Sequence, residues 1–315
     1  MTVFAPAVRK NKLGFLGTLW KYRFYYWLAL PGLIYFLVFQ YGPMAGILMA
    51  FKDFSPLEGY RGIITGDWVG LANFERFCNS YYFWNIMGNT LAISGLKILY
   101  GFPAPIILAL LLNEVRSLHF KKTVQTISYM PHFLSMVVVM GILRKLFSAD
   151  TGYVNYFIKL MGGEEITFLA DERYFRGILV GSTVWQTVGW GSIIYLAAIT
   201  GIDPALYEAA TIDGANRLQQ VFHVTIPSIA NVVVIMLILR MGQILNAGFE
   251  QIFLLYSPAV YSVADIIDTY VYREGLISMN YEYATAVGLF KSVVAVILVL
   301  GTNIIARRLG QEGIW

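Results

Sequence analysis

Six apolar runs divide this chain of 315 residues, and each is long enough to cross a bilayer core, which takes about 20 helical residues. They lie at 24–51, 85–113, 123–143, 177–202, 224–249 and 283–306. The first, third and fourth contain no charged residue. The second contains only Lys97, the fifth only Arg240 and the sixth only Lys291. A further uncharged stretch, 251–264, is too short to span and contains Pro258, so it reads as an interfacial or re-entrant piece. The first run is far longer than the apolar core of a signal peptide, about 7–15 residues, and no A-x-A site follows it. It reads as a permanent helix. The pattern predicts an all-α membrane protein of six transmembrane helices, with one membrane domain at 27–306 between tails at 1–26 and 307–315.

Composition supports that reading. Residues are 57% hydrophobic and 13% charged, against about 25% charged in soluble domains, so the apolar excess faces lipid. This argues against a soluble enzyme, a disordered tail or a disulfide scaffold. The net charge of +4 is too small to suggest a nucleic-acid partner. A lone Cys78 permits no internal disulfide, and His119, His132 and His223 lack zinc-site spacing, so neither a metal site nor a catalytic constellation is expected. Aromatic clusters at 22–27 and 81–84 read as anchors at the membrane–water boundary. Pro31, Pro43, Pro103 and Pro105 read as kinks whose freed carbonyls neighbouring helices satisfy.

Basic residues set the orientation. Arg9, Lys10, Lys12, Lys21 and Arg23 precede the first run; Arg116, Lys121 and Lys122 follow the second; Arg307 and Arg308 follow the sixth. With six spans all three groups fall on one side, expected to be the cytoplasm. Both termini are then cytoplasmic in a multi-pass protein of the cell inner membrane. The connections at 52–84, 144–176 and 250–282 are then outside.

The loop between the fourth and fifth runs, 203–227, reads DPALYEAATIDGANRLQQVFHVTIP. Asp203 is a candidate N-cap and Pro204 a helix start. Gly214 permits a turn or a close backbone approach, and a second helical run leads to Pro227. Ala209 and Ala210 leave room for something to dock, and His223 lies close to that surface.

These residues resemble the EAA motif of permease subunits of binding-protein-dependent ABC importers: Glu208-Ala209-Ala210, three residues, Gly214, nine residues, then Val224-Thr225-Ile226-Pro227. Val224 and Ile226 replace the usual Ile and Leu. The longer form, Tyr207 to Gly214, is typical of the sugar-importing branch. The region 129–155, with Pro131, Ser135, Phe147, Gly152 and Asn155, resembles the third span of sugar permeases, and 185–189 the start of their fourth. The stretches 101–105 and 256–272 resemble the subgroup importing polysaccharides and complex oligosaccharides, alginate among them. Ser257-Pro258 departs from the Gly-Gly-Pro of simpler sugar permeases.

The resemblance implies a type I ABC importer permease fold. It also implies that Glu208, Ala209, Ala210, Asp213 and Gly214 dock on a partner ATPase. The chain has no phosphate-binding G-x-x-x-x-G-K-[ST] loop. ATP and Mg are therefore expected on the partner, with no cofactor held by this chain. The implied assembly has a second permease, usually a different chain, an ATP-binding subunit dimer and an extracytoplasmic solute-binding protein.

The chemistry inside the spans is cationic. Lys97, Arg240 and Lys291 lie within apolar runs that hold no Asp or Glu. Each such cation costs about 2.5–3.5 kcal/mol on insertion scales, so carbonyls, water, a partner or an anionic substrate must compensate it. At 1.5 Å per residue, Arg240 lies roughly 21 Å and Trp190 roughly 18 Å from the cytoplasmic ends of their spans. Gln186 and Trp190 share a face of the fourth span, and Arg240 and Gln243 a face of the fifth. The expected substrate pathway is Gln186, Trp190, Arg240, Gln243, Lys97 and Lys291, with Lys291 also able to reach water and Lys97 to lean on carbonyls. A guanidinium beside an indole and amides suits an acidic sugar. The alternative, a secondary transporter of a small anionic solute, would use intramembrane carboxylates for ion coupling and inverted repeats, and neither is evident.

Overall fold

The computed structural model describes residue 17 and residues 20–308. Arg9, Lys10 and Lys12 of the expected amino-terminal tail, and the carboxy-terminal tail beyond residue 308, lie outside the described residues. Among the described residues the regular structure is helical, apart from one isolated antiparallel bridge between Lys52 and Trp68.

Three helices are long and apolar enough to cross a membrane unbent: Arg23–Phe51, Phe83–Glu114 and Tyr281–Ile305. Three further passes are bent pairs, which brings the count up to six. The third apolar run is the sharpest case, with Leu118–Phe133 and Met136–Leu146 meeting at 101°. Pro131 sits in a tight 3-10 turn there, and the Ser135 hydroxyl caps the next helix by accepting from the Val138 amide at 3.4 Å. Proline removes a donor and serine supplies a cap, so the chain restarts in a new direction. The fourth pass, Glu172–Thr200, turns by 71° into Pro204–Ile212. The fifth is broken by 62° between Arg217–Ser228 and Ala230–Met241.

The fourth pass is the spine. Phe175 and Leu179 pack with Ile93 of the second pass and with Val139, Met140 and Leu143 of the third. At Gly189 it lies directly on the backbone at Ser128, where any Cβ would overlap that carbonyl. At the other end Tyr195 and Ile199 pack with Ala109 and Ile229.

The short stretch at 251–264 enters the bundle and does not lie on its surface. Ala247, Ile252, Leu255, Val260, Ala264 and Ile266 all belong to the same buried cluster as the spine. Gly248, with φ of +94°, reverses the chain so that helix Phe249–Leu255 can return inward, a conformation open to glycine at little cost. By contrast, the first pass is exposed along 20–44 and packs only near its end, where Ala50 is buried.

Candidate functional site

Two sites are built on this frame. The first is the corner after the spine. The Asp203 carboxylate accepts from the Ala205 amide at 2.9 Å and starts helix Pro204–Ile212. Gly214 then turns with φ of +81°, and the Ala215 amide closes on the Ala210 carbonyl at 2.9 Å. Asn216 and Gln219 form a reciprocal capping box that starts the second short helix, Arg217–Gln220. Two braces hold the helices together: Tyr207 Oη with Thr225 Oγ1 at 2.9 Å, and Gln220 Nε2 donating to Thr211 Oγ1 at 3.0 Å. The corner is therefore preformed.

Its outer face is open. Glu208, Ala209, Asp213 and Gly214 are exposed and Ala210 is half-buried. Leu206, Ile212, Leu218 and Phe222 expose apolar side chains beside them. Glu208 and Arg217 line a cleft of about 1110 Å³ with Glu114 and Arg116, and Arg217 reaches Glu114 at 3.7 Å. A smaller notch of about 230 Å³ is lined by Ala210, Asp213, Gly214 and His223. His223 Nδ1 lies 3.0 Å from the Gln219 carbonyl. An added Cβ at Gly214 meets nothing within 4 Å, so glycine is needed for its backbone angle and not for space within this chain.

The second site is a pocket of about 200 Å³ between the second, fourth and fifth passes. It brings together four of the expected pathway residues: Lys97, Gln186, Arg240 and Gln243. Trp190 and Lys291 are not among its lining. Trp190 instead stacks on His132, with ring centroids 4.6 Å apart and planes 4° from parallel. A straight fifth pass would set Arg240 level with Trp190; the pass is broken by 62°, and Arg240 lines the pocket with Gln186 instead.

The three cations have different fates. Lys291 is paired, its Nζ 2.5 Å from Asp268 Oδ1 on helix Ile267–Tyr272. This corrects the expectation of three intramembrane cations without a carboxylate, because the chain brings an acid in from the helix that follows the 251–264 stretch. Lys97, 7% exposed, donates to the Ala247 carbonyl at 2.7 Å and to Gln251 Oε1 at 2.5 Å. The Arg240 guanidinium makes no hydrogen bond or ion pair among the described residues, and no carboxylate lines the pocket it enters.

Gln251 was not visible as a functional residue in the sequence. It is 2% exposed and donates through Nε2 to the Leu179 carbonyl at 2.9 Å and the Ser182 hydroxyl at 2.8 Å. It also accepts from Thr183 at 3.2 Å. The available signal was a carboxamide at the start of an otherwise apolar stretch too short to span. Among the described residues no group of three or more His, Cys, Asp or Glu side chains is placed to hold a metal ion.

Comparison with known proteins places these sites in context. The family model for the binding-protein-dependent transport system inner membrane component matches residues 101–311. Protein LplB of Bacillus subtilis is 45% identical over 312 residues, covering 99% of this chain and 97% of LplB. The polygalacturonan/rhamnogalacturonan transport system permease protein YteP of the same organism is 45% identical over 317 residues, covering 99% and 98%. A chain of the bacterial alginate ABC transporter, solved in complex with an alginate pentasaccharide-bound periplasmic protein, superposes with a TM-score of 0.86 at 42% identity. The match covers 95% of this chain and 99% of that one.

Proposed function

We propose, for a chain that belongs to the family of binding-protein-dependent transport system inner membrane components, a role as the permease subunit of an ABC importer for an acidic oligosaccharide. The observation that carries the substrate class is the pocket. It holds two cations, Lys97 and Arg240, among amides and hydroxyls, with no carboxylate in its lining. An arriving uronate carboxylate relieves part of the cost of keeping those charges inside the membrane. A guanidinium adds bidentate geometry that favours a planar carboxylate. The relatives' substrates agree in chemistry: YteP is named for polygalacturonan and rhamnogalacturonan, and a second solved structure of similar fold is described as importing the acidic polysaccharide alginate.

The corner at 203–227 is the coupling element in this reading. Its exposed Glu208, Ala209, Asp213 and Gly214, with the half-buried Ala210, face a cytosolic ATPase dimer that binds ATP and Mg. The flanking Leu206 and Ile212 supply apolar contact area. A second, different permease contributes the other half of the pathway. An extracytoplasmic solute-binding protein delivers the sugar and performs much of the selection. Both termini and the corner are cytoplasmic.

The decisive experiment is uptake by the reconstituted importer of acidic and neutral oligosaccharides of equal length. Arg240→Gln should lower the acidic-to-neutral uptake ratio about tenfold, the scale of one charge-assisted hydrogen-bonded pair. Equal losses for both sugars would reduce Arg240 to a structural residue and remove the acidic-substrate assignment.

A further inference from the structure

Two unlike fates of charge meet at the pocket. Lys291 has a carboxylate at 2.5 Å, so the fold is able to bring an acid to an intramembrane cation. It does not do so for Lys97 or Arg240. The hydrogen bonds of Lys97 go to a carbonyl and a carboxamide, which are neutral, and the Arg240 guanidinium has no hydrogen-bond or ion-pair partner among the described residues. Both side chains line one small cavity, so two like charges face the same space and their repulsion adds to the cost of holding each among apolar spans.

An independent observation points the same way. Ser94 lines this pocket one turn before Lys97 on the same helix and is 4% exposed. Its hydroxyl is buried and has no hydrogen-bond partner among the described residues. A buried serine in a helix can donate back to a carbonyl of the preceding turn, as Ser182 does here to the Ile178 carbonyl at 2.6 Å. Ser94 does not. A buried hydroxyl without a partner is costly, and beside two cations the group that satisfies it as acceptor is an anion.

We propose that Arg240, Lys97 and the Ser94 hydroxyl form a binding site for a small inorganic monoanion, with chloride as the resting occupant that a substrate carboxylate displaces. The cavity of about 200 Å³ accepts a halide with room to spare and does not select it by a closed cage. Binding is therefore weak and exchangeable, as transport requires. Displacement as the mode of substrate entry rests on the acidic-oligosaccharide reading above; occupancy by the anion rests only on the pocket.

The test uses the assembled importer in proteoliposomes, with chloride exchanged for a bulky organosulfonate, which carries no carboxylate, at constant ionic strength. Chloride should raise the apparent KM for an acidic oligosaccharide several-fold, leave the maximal rate unchanged and have no effect on a neutral one. Ser94→Ala should weaken the chloride effect about fivefold, and Arg240→Gln should abolish it. Direct binding is read by ³⁵Cl NMR line broadening of the purified importer, which should be reversed by acidic oligosaccharide and lost in Arg240→Gln. Ser94→Ala, a milder change, keeps the test valid if Arg240→Gln does not assemble. Absence of site-dependent broadening together with chloride-independent uptake overturns the anion site, while acid selectivity that still depends on Arg240 leaves the substrate reading standing. Broadening that Ser94→Ala weakens, with selectivity unaffected by Arg240→Gln, supports the anion site and rejects the acidic substrate.

Discussion

Gln251 should matter more to stability than the charged residue it serves. Replacing Lys97 by Met removes two hydrogen bonds of a charged donor, to Ala247 O at 2.7 Å and Gln251 Oε1 at 2.5 Å, each contributing about 1.5–3 kcal/mol. It also removes the insertion cost of the cation, about 2.5–3.5 kcal/mol. The methionine stem keeps most of the packing, and Thr183 at 3.2 Å still satisfies Gln251 Oε1. The net change runs from about −0.5 to 3.5 kcal/mol and centres near 1.5. Gln251→Leu is different. It leaves the cation buried with one acceptor and deletes two donations, to Leu179 and Ser182, at about 1 kcal/mol each. Its total cost is about 3–5 kcal/mol, as for a buried charge stripped of its partner. The double variant Lys97→Met with Gln251→Leu has no stranded charge and should be less destabilised than the sum by about 1.5–3 kcal/mol. Reversible unfolding of the chain in lipid nanodiscs, followed by tryptophan fluorescence, gives all four corners of the cycle. If Lys97→Met costs more than Gln251→Leu, or the two effects add, the clip reasoning is refuted.

Two further outcomes follow at the corner. Gly214 has φ of +81° with open space at its Cβ, so Gly214→Asn, which tolerates left-handed backbone, should keep ATP hydrolysis coupled to transport. Gly214→Val should uncouple it with the chain still inserted, the strain being about 1–2 kcal/mol; uncoupling by both variants would assign glycine's role to a docking surface, and full coupling in both would remove it. Orientation is checked by Asp213→Cys, which impermeant thiol reagents added outside intact cells should fail to label in a Cys78→Ser background; efficient labelling reverses the topology.

Much of the corner at 203–227 was legible in the sequence because its determinants are local. Asp203, Pro204 and Gly214 act within one helical turn of the backbone they direct, so spacing alone sets the first helix and the glycine turn, while the Asn216–Gln219 box that starts the second helix came from the structure. The number of passes was legible for a similar reason: bilayer thickness imposes a minimum apolar length on every pass. Their straightness was not. Bends at 130–136 and near Ile229 depend on which freed backbone groups find partners across the bundle.

The pocket was half legible. Arg240, Gln243, Gln186 and Lys97 stand out as polar positions in apolar runs, yet their convergence depends on helix crossings that sequence periodicity does not encode. The pairing of Lys291 with Asp268 across 23 residues, and of Lys97 with Gln251 across 154, is decided by the re-entrant segment turning at Gly248 into the bundle. The same folding carried Trp190 to His132 and away from Arg240. Sequence by itself determined that cations would be held inside the membrane. Tertiary structure decided which is neutralised by an acid, which is clipped by neutral dipoles and which is left facing the cavity, because compensation of a buried charge is a short-range matter between groups far apart in the chain.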